Sequence, residues 1–162
     1  MSTNKYKPHV LVIPEDDANR QLVNGFLLHY AVNDRYIQIM TPAGGWRSVL
    51  DVFKKEYIQY LNSYNMAHVI MIIDFDGDTN RREECEQQIP DNIRDRVFII
   101  GSIDEPETIK QDLHESLEQI GWLLATGCSN ETYSLWHTPH FEHNASELAK
   151  LIVTVRPIVF QG

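Results

Sequence analysis

Three aspartates, Asp74, Asp76 and Asp78, stand at alternate positions in HVIMIIDFDGDTNRRE, residues 68–83, where an apolar run ends. Side chains at i, i+2 and i+4 of an extended segment point the same way, so an unbroken strand would bring the three carboxylates together. Such a row suits three chemistries. It can cage a hard divalent cation, present an aspartate to a phosphoryl donor, or form an acidic turn that caps the next helix. A fourth acid, Glu15, directly follows another apolar run, HVLVIP, residues 9–14. Gly44 and Gly45 lie in the turn PAGG, where glycine lets the backbone approach a phosphate or adopt a positive φ. Arg81 and Arg82 follow the aspartates and are the nearest cations for phosphate contact, with a solvated helix face as the alternative. Glu105 is a candidate additional acid beside Pro106, and a place at a helix N-terminus explains it equally well.

The elements that must position these groups follow from periodicity. Apolar runs at 9–14, 35–41, 68–75 and 96–102 read as strands, the third buried on both faces. Leu22, Val23, Phe26, Leu27 and Tyr30 recur at helical spacing, as do Val49, Leu50, Phe53, Tyr57 and Leu61. Residues 79–89 are a short polar helix or loop. Pro106 opens a long helix over 105–127, and residues 128–143 are irregular. Asn144 is the expected N-cap of a last helix to about Val155, with Glu147 three residues on, and residues 156–162 are a tail or short strand. Alternating strands and helices predict an α/β, Rossmann-like, mainly parallel four-stranded sheet with flanking helices and a C-terminal helical extension. One domain spans 1–162, with its core at 8–104 and the extension at 105–162. Ligands of such sheets bind beyond the carboxyl ends of the strands, the edge where Glu15, Gly44–Gly45 and the aspartates fall.

The totals agree. A chain of 162 residues, 43% hydrophobic, fits a globular domain, and no apolar run is long enough for a membrane span. The start MSTNKYKPHV lacks the apolar stretch of a signal peptide, and Cys85 and Cys128 form no CxxC pair, so a cytoplasmic protein with free thiols is expected. The net charge of −9 argues against a basic nucleic-acid coat, although bound divalent ions can supply the charge a phosphate sees.

Three family resemblances compete for these residues. VIPEDDANRQLVNGFL resembles the opening of a response-regulator receiver, in which two acids after strand one bind Mg²⁺, with Asp74 as phospho-acceptor and Ser102 as switch hydroxyl, but the gap from Asp16 to Asp74 is long and no fifth strand ending in lysine follows. DFDGDT resembles the haloacid-dehalogenase signature, yet that family places it on its first strand. The pattern that covers most of the chain, about residues 8–104, resembles the Toprim domain of OLD-type nucleases, DnaG-type primases and topoisomerases. Its marks are the acid after strand one (Glu15), the Gly-rich turn after strand two (Gly44, Gly45) and the DxDxD after strand three.

That resemblance implies Mg²⁺ or Mn²⁺ held by Asp74 and Asp76 with Asp78 optional. It implies Glu15 as general acid or base, and nuclease-like hydrolysis of phosphodiesters in nucleic acid. OLD-type proteins couple Toprim to an ATPase, and no GxxxxGK[ST] loop is present, so an ATPase partner in trans is an expectation. A non-catalytic, metal-dependent binding or regulatory subunit is the competing class, and homo-oligomerisation stays open. His137, His140 and His143 do not form a recognised zinc pattern. Trp46, Trp122 and Trp136 are expected in the core.

Overall fold

The computed structural model describes residues 3–160. Four strands, β1 (His9–Pro14), β2 (Ile37–Ile39), β3 (Ala67–Ile72) and β4 (Val97–Ile100), form one all-parallel sheet in the order β2-β1-β3-β4. All six residues of both β1 and β3 are buried, as central parallel strands require. The side-chain alternation of the strands divides the core into two layers. Val10, Val12, Ile70, Ile72, Phe98 and Ile100 face one layer, and Leu11, Ile13, Val69, Met71, Ile73, Val97 and Ile99 the other.

The first layer is covered by α1 (Asp17–Leu27), α6 (Leu117–Asn130), α7 (Ala145–Thr154) and α8 (Arg156–Val159). The second is covered by α2 (Trp46–Val52), a π-helical turn (Phe53–Tyr57) and α3 (Ile58–Ser63), with Cys85 of α4 (Asn80–Glu86) at its margin. Phe53, Tyr57 and Leu61 repeat every fourth residue, which overshoots the 3.6-residue α period. The wider π turn keeps all three buried on one line. The C-terminal segment is integral to the fold, because α6 and α7 complete the first layer.

The helix expected over 105–127 is two helices, α5 (Pro106–Leu113) and α6. His114 between them is left-handed (φ 53°, ψ 40°), and Ser116 caps α6 by accepting from the Gln119 N–H at 3.1 Å. The expected tail or short strand is helical over Arg156–Val159, with residues 161 and 162 outside the described residues. Tyr30, assigned by spacing to the buried face of α1, lies beyond the helix end and is 86% exposed.

β4 is an edge strand, and its outer backbone groups are occupied, the Val97 N–H by Arg94 O and the others by side chains. Glu147 Oε2 accepts from the Ile99 N–H (3.2 Å), and Asn144 Oδ1 from the Gly101 N–H (3.3 Å). Lys150 Nζ donates to Val97 O (3.4 Å), Arg82 to Ile99 O, and Asn144 Nδ2 and His143 Nε2 to Gly101 O (both 2.8 Å). Asn144 and Glu147 were expected to cap α7 between them. They stand at its start, but both turn to β4 and no side chain caps the helix.

Candidate metal centre

The sheet order reverses between β1 and β3, since β1 connects outward to β2 and β3 outward to β4. A crevice opens at such a switch point, beyond the strand ends. Pro14 is in register with Ile72, and the Glu15 N–H donates to Ile72 O at 2.9 Å, carrying the pairing one residue past β1. This places Glu15 beside the backbone of Asp74, whose N–H donates to Glu15 Oε2 at 2.6 Å. Asp16 is extended (φ −146°) and caps α1, its Oδ1 accepting from the Asn19 N–H (3.0 Å) and Asn19 Nδ2 (3.1 Å). The buried Asn19 also donates to Asp74 Oδ1 at 3.3 Å, so one carboxamide ties the ends of β1 and β3 together.

The result is a group of three acids, Glu15, Asp16 and Asp74, each offering an oxygen within 4.8 Å of the others. Each carboxylate uses one oxygen on these internal bonds. The second oxygen of each, Glu15 Oε1, Asp16 Oδ2 and Asp74 Oδ2, has no protein donor among the described residues. An all-oxygen set with three free carboxylate oxygens fits Mg²⁺ or Mn²⁺, and the absence of thiol or imidazole from the group disfavours zinc. Cys85 and Cys128 are buried elsewhere, their thiols pushed up to about 11 and about 12 by burial.

The electrostatics point the same way. Burial first, then the charges of Glu15 and Asp16, push the Asp74 carboxyl up to about 7, against the Asn19 hydrogen bond. Glu15 is raised too, chiefly by burial and then by Asp16 and Asp76, opposed by the Asp74 N–H and by Arg81. Protons and a cation compete for such a site. A site that held Mg²⁺ through Asp74 would bind it roughly tenfold more tightly at pH 8 than at pH 6, as Asp74 goes from about one-tenth to about nine-tenths ionised. Calorimetric titration at the two pH values checks this, and a flat profile would count against Asp74 as a ligand.

The row of aspartates does not stay together. Phe75 is buried and its N–H pairs with Ser102 O, but Asp76 (φ 48°) and Gly77 (φ 75°) then turn the chain. Asp76 is exposed and pairs with Arg81 at 3.1 Å. Asp78 accepts from the Asn80 N–H at 3.0 Å, stabilising the turn into α4. Neither joins the close group, whose third member is Asp16. Only the receiver resemblance marked the acids after strand one, Asp16 among them, as Mg²⁺ ligands; otherwise an acid that caps a helix has a sufficient structural role. Asn19, the link between Asp16 and Asp74, carried no motif.

The remaining candidates separate by their partners. Arg81 Nη1 donates to Asp74 O (2.7 Å) and to the Asp76 carboxylate, beside the site. Arg82, read as a phosphate contact, instead runs into the fold. It donates to Ile99 O and Asn144 Oδ1 (2.7 Å), and its guanidinium lies 4.9 Å from the Phe75 ring centroid. The N–H groups of Gly44 and Gly45 both donate to Glu15 O (2.8 and 3.2 Å), so they hold the Glu15 backbone and are not free for a phosphate. Both glycines have positive φ, 96° and 145°. Glu105 is exposed at the start of α5, outside the acidic group.

His143 is held through both ring nitrogens, its Nε2 donating to Gly101 O and its Nδ1 facing Arg82 Nη2 at 3.3 Å. Burial and the Arg82 charge lower its pKa. His140 lies between Asp104 (2.7 Å) and Asp112 (3.3 Å), and His137 is exposed. No helix among the described residues is long and apolar enough to cross a membrane. Comparison with family models, curated proteins and solved structures finds no match to this chain.

Proposed function

We propose that this protein is a Mg²⁺-dependent nuclease-like enzyme acting on phosphodiester bonds of nucleic acid. The observation that carries this reading is the meeting of Glu15, Asp16 and Asp74 at the β1–β3 switch point, each with a free oxygen. The order of the marks along the chain, an acid after β1, a Gly pair after β2 and DxD after β3, adds the resemblance to Toprim nucleases.

Asp16 and Asp74 are the metal-holding pair in this proposal. A bound Mg²⁺ supplies Lewis-acid stabilisation of charge on the phosphodiester and orients water. Glu15 is the proton carrier: its Oε2 is fixed by the Asp74 N–H, its Oε1 is free, and burial raises its pKa toward the range useful for a general acid or base. Arg81, tied to Asp74 O and Asp76, holds positive charge at the rim.

Cleavage of single-stranded and duplex DNA and RNA in Mg²⁺ or Mn²⁺ tests the assignment. Glu15→Gln is expected to lower the rate on the order of 10²- to 10⁴-fold, the usual contribution of a general acid or base. Equal rates in wild type and variant would sink it.

The net charge of −9 favours one second reading, a non-catalytic subunit that binds metal and serves a larger complex, such as one with an ATPase in trans. It predicts metal binding sensitive to Asp74 with no cleavage by the isolated chain. A receiver-like role is poorly served, because the described residues form four strands and lack the fifth strand that carries the receiver lysine.

A further inference from the structure

We propose that Trp46 is a stacking platform for an unpaired base, so that the carboxylate crevice takes single-stranded nucleic acid. This rests on the nuclease-like reading above and names its substrate class.

Position is the first argument. Gly44 and Gly45 are bonded to Glu15 O, so the next residue, Trp46 at the start of α2, stands at the rim of the crevice. Arg81 also links Trp46 to the crevice. Its Nη1 bonds Asp74 O and the Asp76 carboxylate, and its guanidinium lies 5.1 Å from the Trp46 ring centroid. Trp46 is thus one side chain removed from Asp74.

Access is the second. Trp136 is buried, with its Nε1–H donated to Leu124 O, as a core tryptophan should be. Trp46 and Trp122 were expected in the core as well, yet both are only partly buried, Trp122 beside His29 and Trp46 against the second layer. The exposed Arg47 places its guanidinium 4.4 Å from the Trp46 ring centroid. A flat, solvent-borne group already occupies a face of the indole at stacking distance, so that face admits a planar partner. Packing fixes the ring, and Arg47 is free to move to a phosphate.

Chemistry is the third. Every base has a π face, and stacking on an aromatic side chain is worth roughly 5- to 150-fold in affinity. In a duplex those faces are covered by neighbouring bases, so the platform selects unpaired nucleotides. Arg47 beside the ring supplies local positive charge in an acidic chain, the charge of Arg81 being paired with Asp76.

The test is fluorescence anisotropy of the whole protein with a labelled 15-nucleotide oligodeoxynucleotide, its fully abasic counterpart and the matching duplex, in Ca²⁺ to limit turnover. The wild type is expected to bind the single strand about tenfold or more tighter than either other probe. Trp46→Ala should erase that difference while leaving abasic binding unchanged, and Trp46→Phe, which keeps a flat ring, should retain most of it. If Trp46→Ala weakens the single strand and the abasic probe equally, or neither, the platform is overturned. In that case the nuclease-like reading still stands wherever the wild type cleaves in Mg²⁺. If the wild type binds and cleaves none of the three probes, that reading fails and the platform falls with it.

Discussion

Asp74→Asn is expected to weaken Mg²⁺ binding on the order of 100-fold or more, and to make the metal-free protein more stable at pH 8. The two effects have one cause. Asp74 is 7% exposed and faces two other carboxylates, so its ionised form is costly without a cation. Its folded-state pKa is raised from 3.8 to about 7. A group raised in this way contributes stability that is full below pH 3.8 and lost as pH climbs to about 7. At pH 8 the metal-free wild type retains none of that contribution, whereas the asparagine variant never acquires the charge and keeps an acceptor for Asn19. Thermal melts with EDTA should place the variant a few degrees above wild type at pH 8 and near it at pH 4. Added Mg²⁺ should raise the wild type alone. A variant that is less stable at pH 8 and still binds Mg²⁺ would mean that Asp74 belongs to a polar turn and not to a metal centre.

The second large effect is structural. Gly121→Ala and Gly25→Ala are each expected to cost about 3 kcal/mol or more, lowering the melting temperature by about 10 °C. At Gly121 a Cβ would sit 1.8 Å from Leu22 O, and at Gly25 one would sit 1.9 Å from Glu118 O. Both obstacles are backbone atoms, so no rotamer change relieves them, and α1 and α6 would have to separate. Separation of α1 also displaces Asp16 and Asn19, which stand at its first turn, so metal affinity should fall in parallel. Gly77→Ala is the control. Its φ is +75° with nothing within 4 Å of the added methyl, which leaves a conformational cost of about 1–2 kcal/mol. Melting curves that rank Gly77→Ala as the worst of the three would refute the packing account.

The parallel sheet was legible because its strands are buried on both faces and therefore read as continuous apolar runs. The crevice was half legible for the same reason: Glu15 and Asp74 mark the ends of two such runs. Asp76 and Asp78 were grouped with Asp74 on the assumption that strand geometry persists. The Asp-Gly pair at 76–77 is itself a turn signal, and it outweighs the alternation. The break at His114 carried a readable sign in the Ser116 and Gln119 pair, a capping pattern masked because Ile109, Leu113, Leu117 and Ile120 keep helical spacing across it. Arg82 was not legible at all. Its acceptor Asn144 lies 62 residues away and comes within reach only when α7 packs against β4.

The covered outer margin of β4 bears on self-association. An exposed strand edge is a template for a further strand, whether from a second copy or from an aggregating chain. Here Glu147, Asn144, His143, Lys150 and Arg82 already stand where such a strand would hydrogen-bond. Sheet-to-sheet dimers and fibril seeding are closed off on this side while α7 stays docked. A lesion that loosens α7 would then show itself as insolubility, with the carboxylates beyond β1 and β3 left untouched.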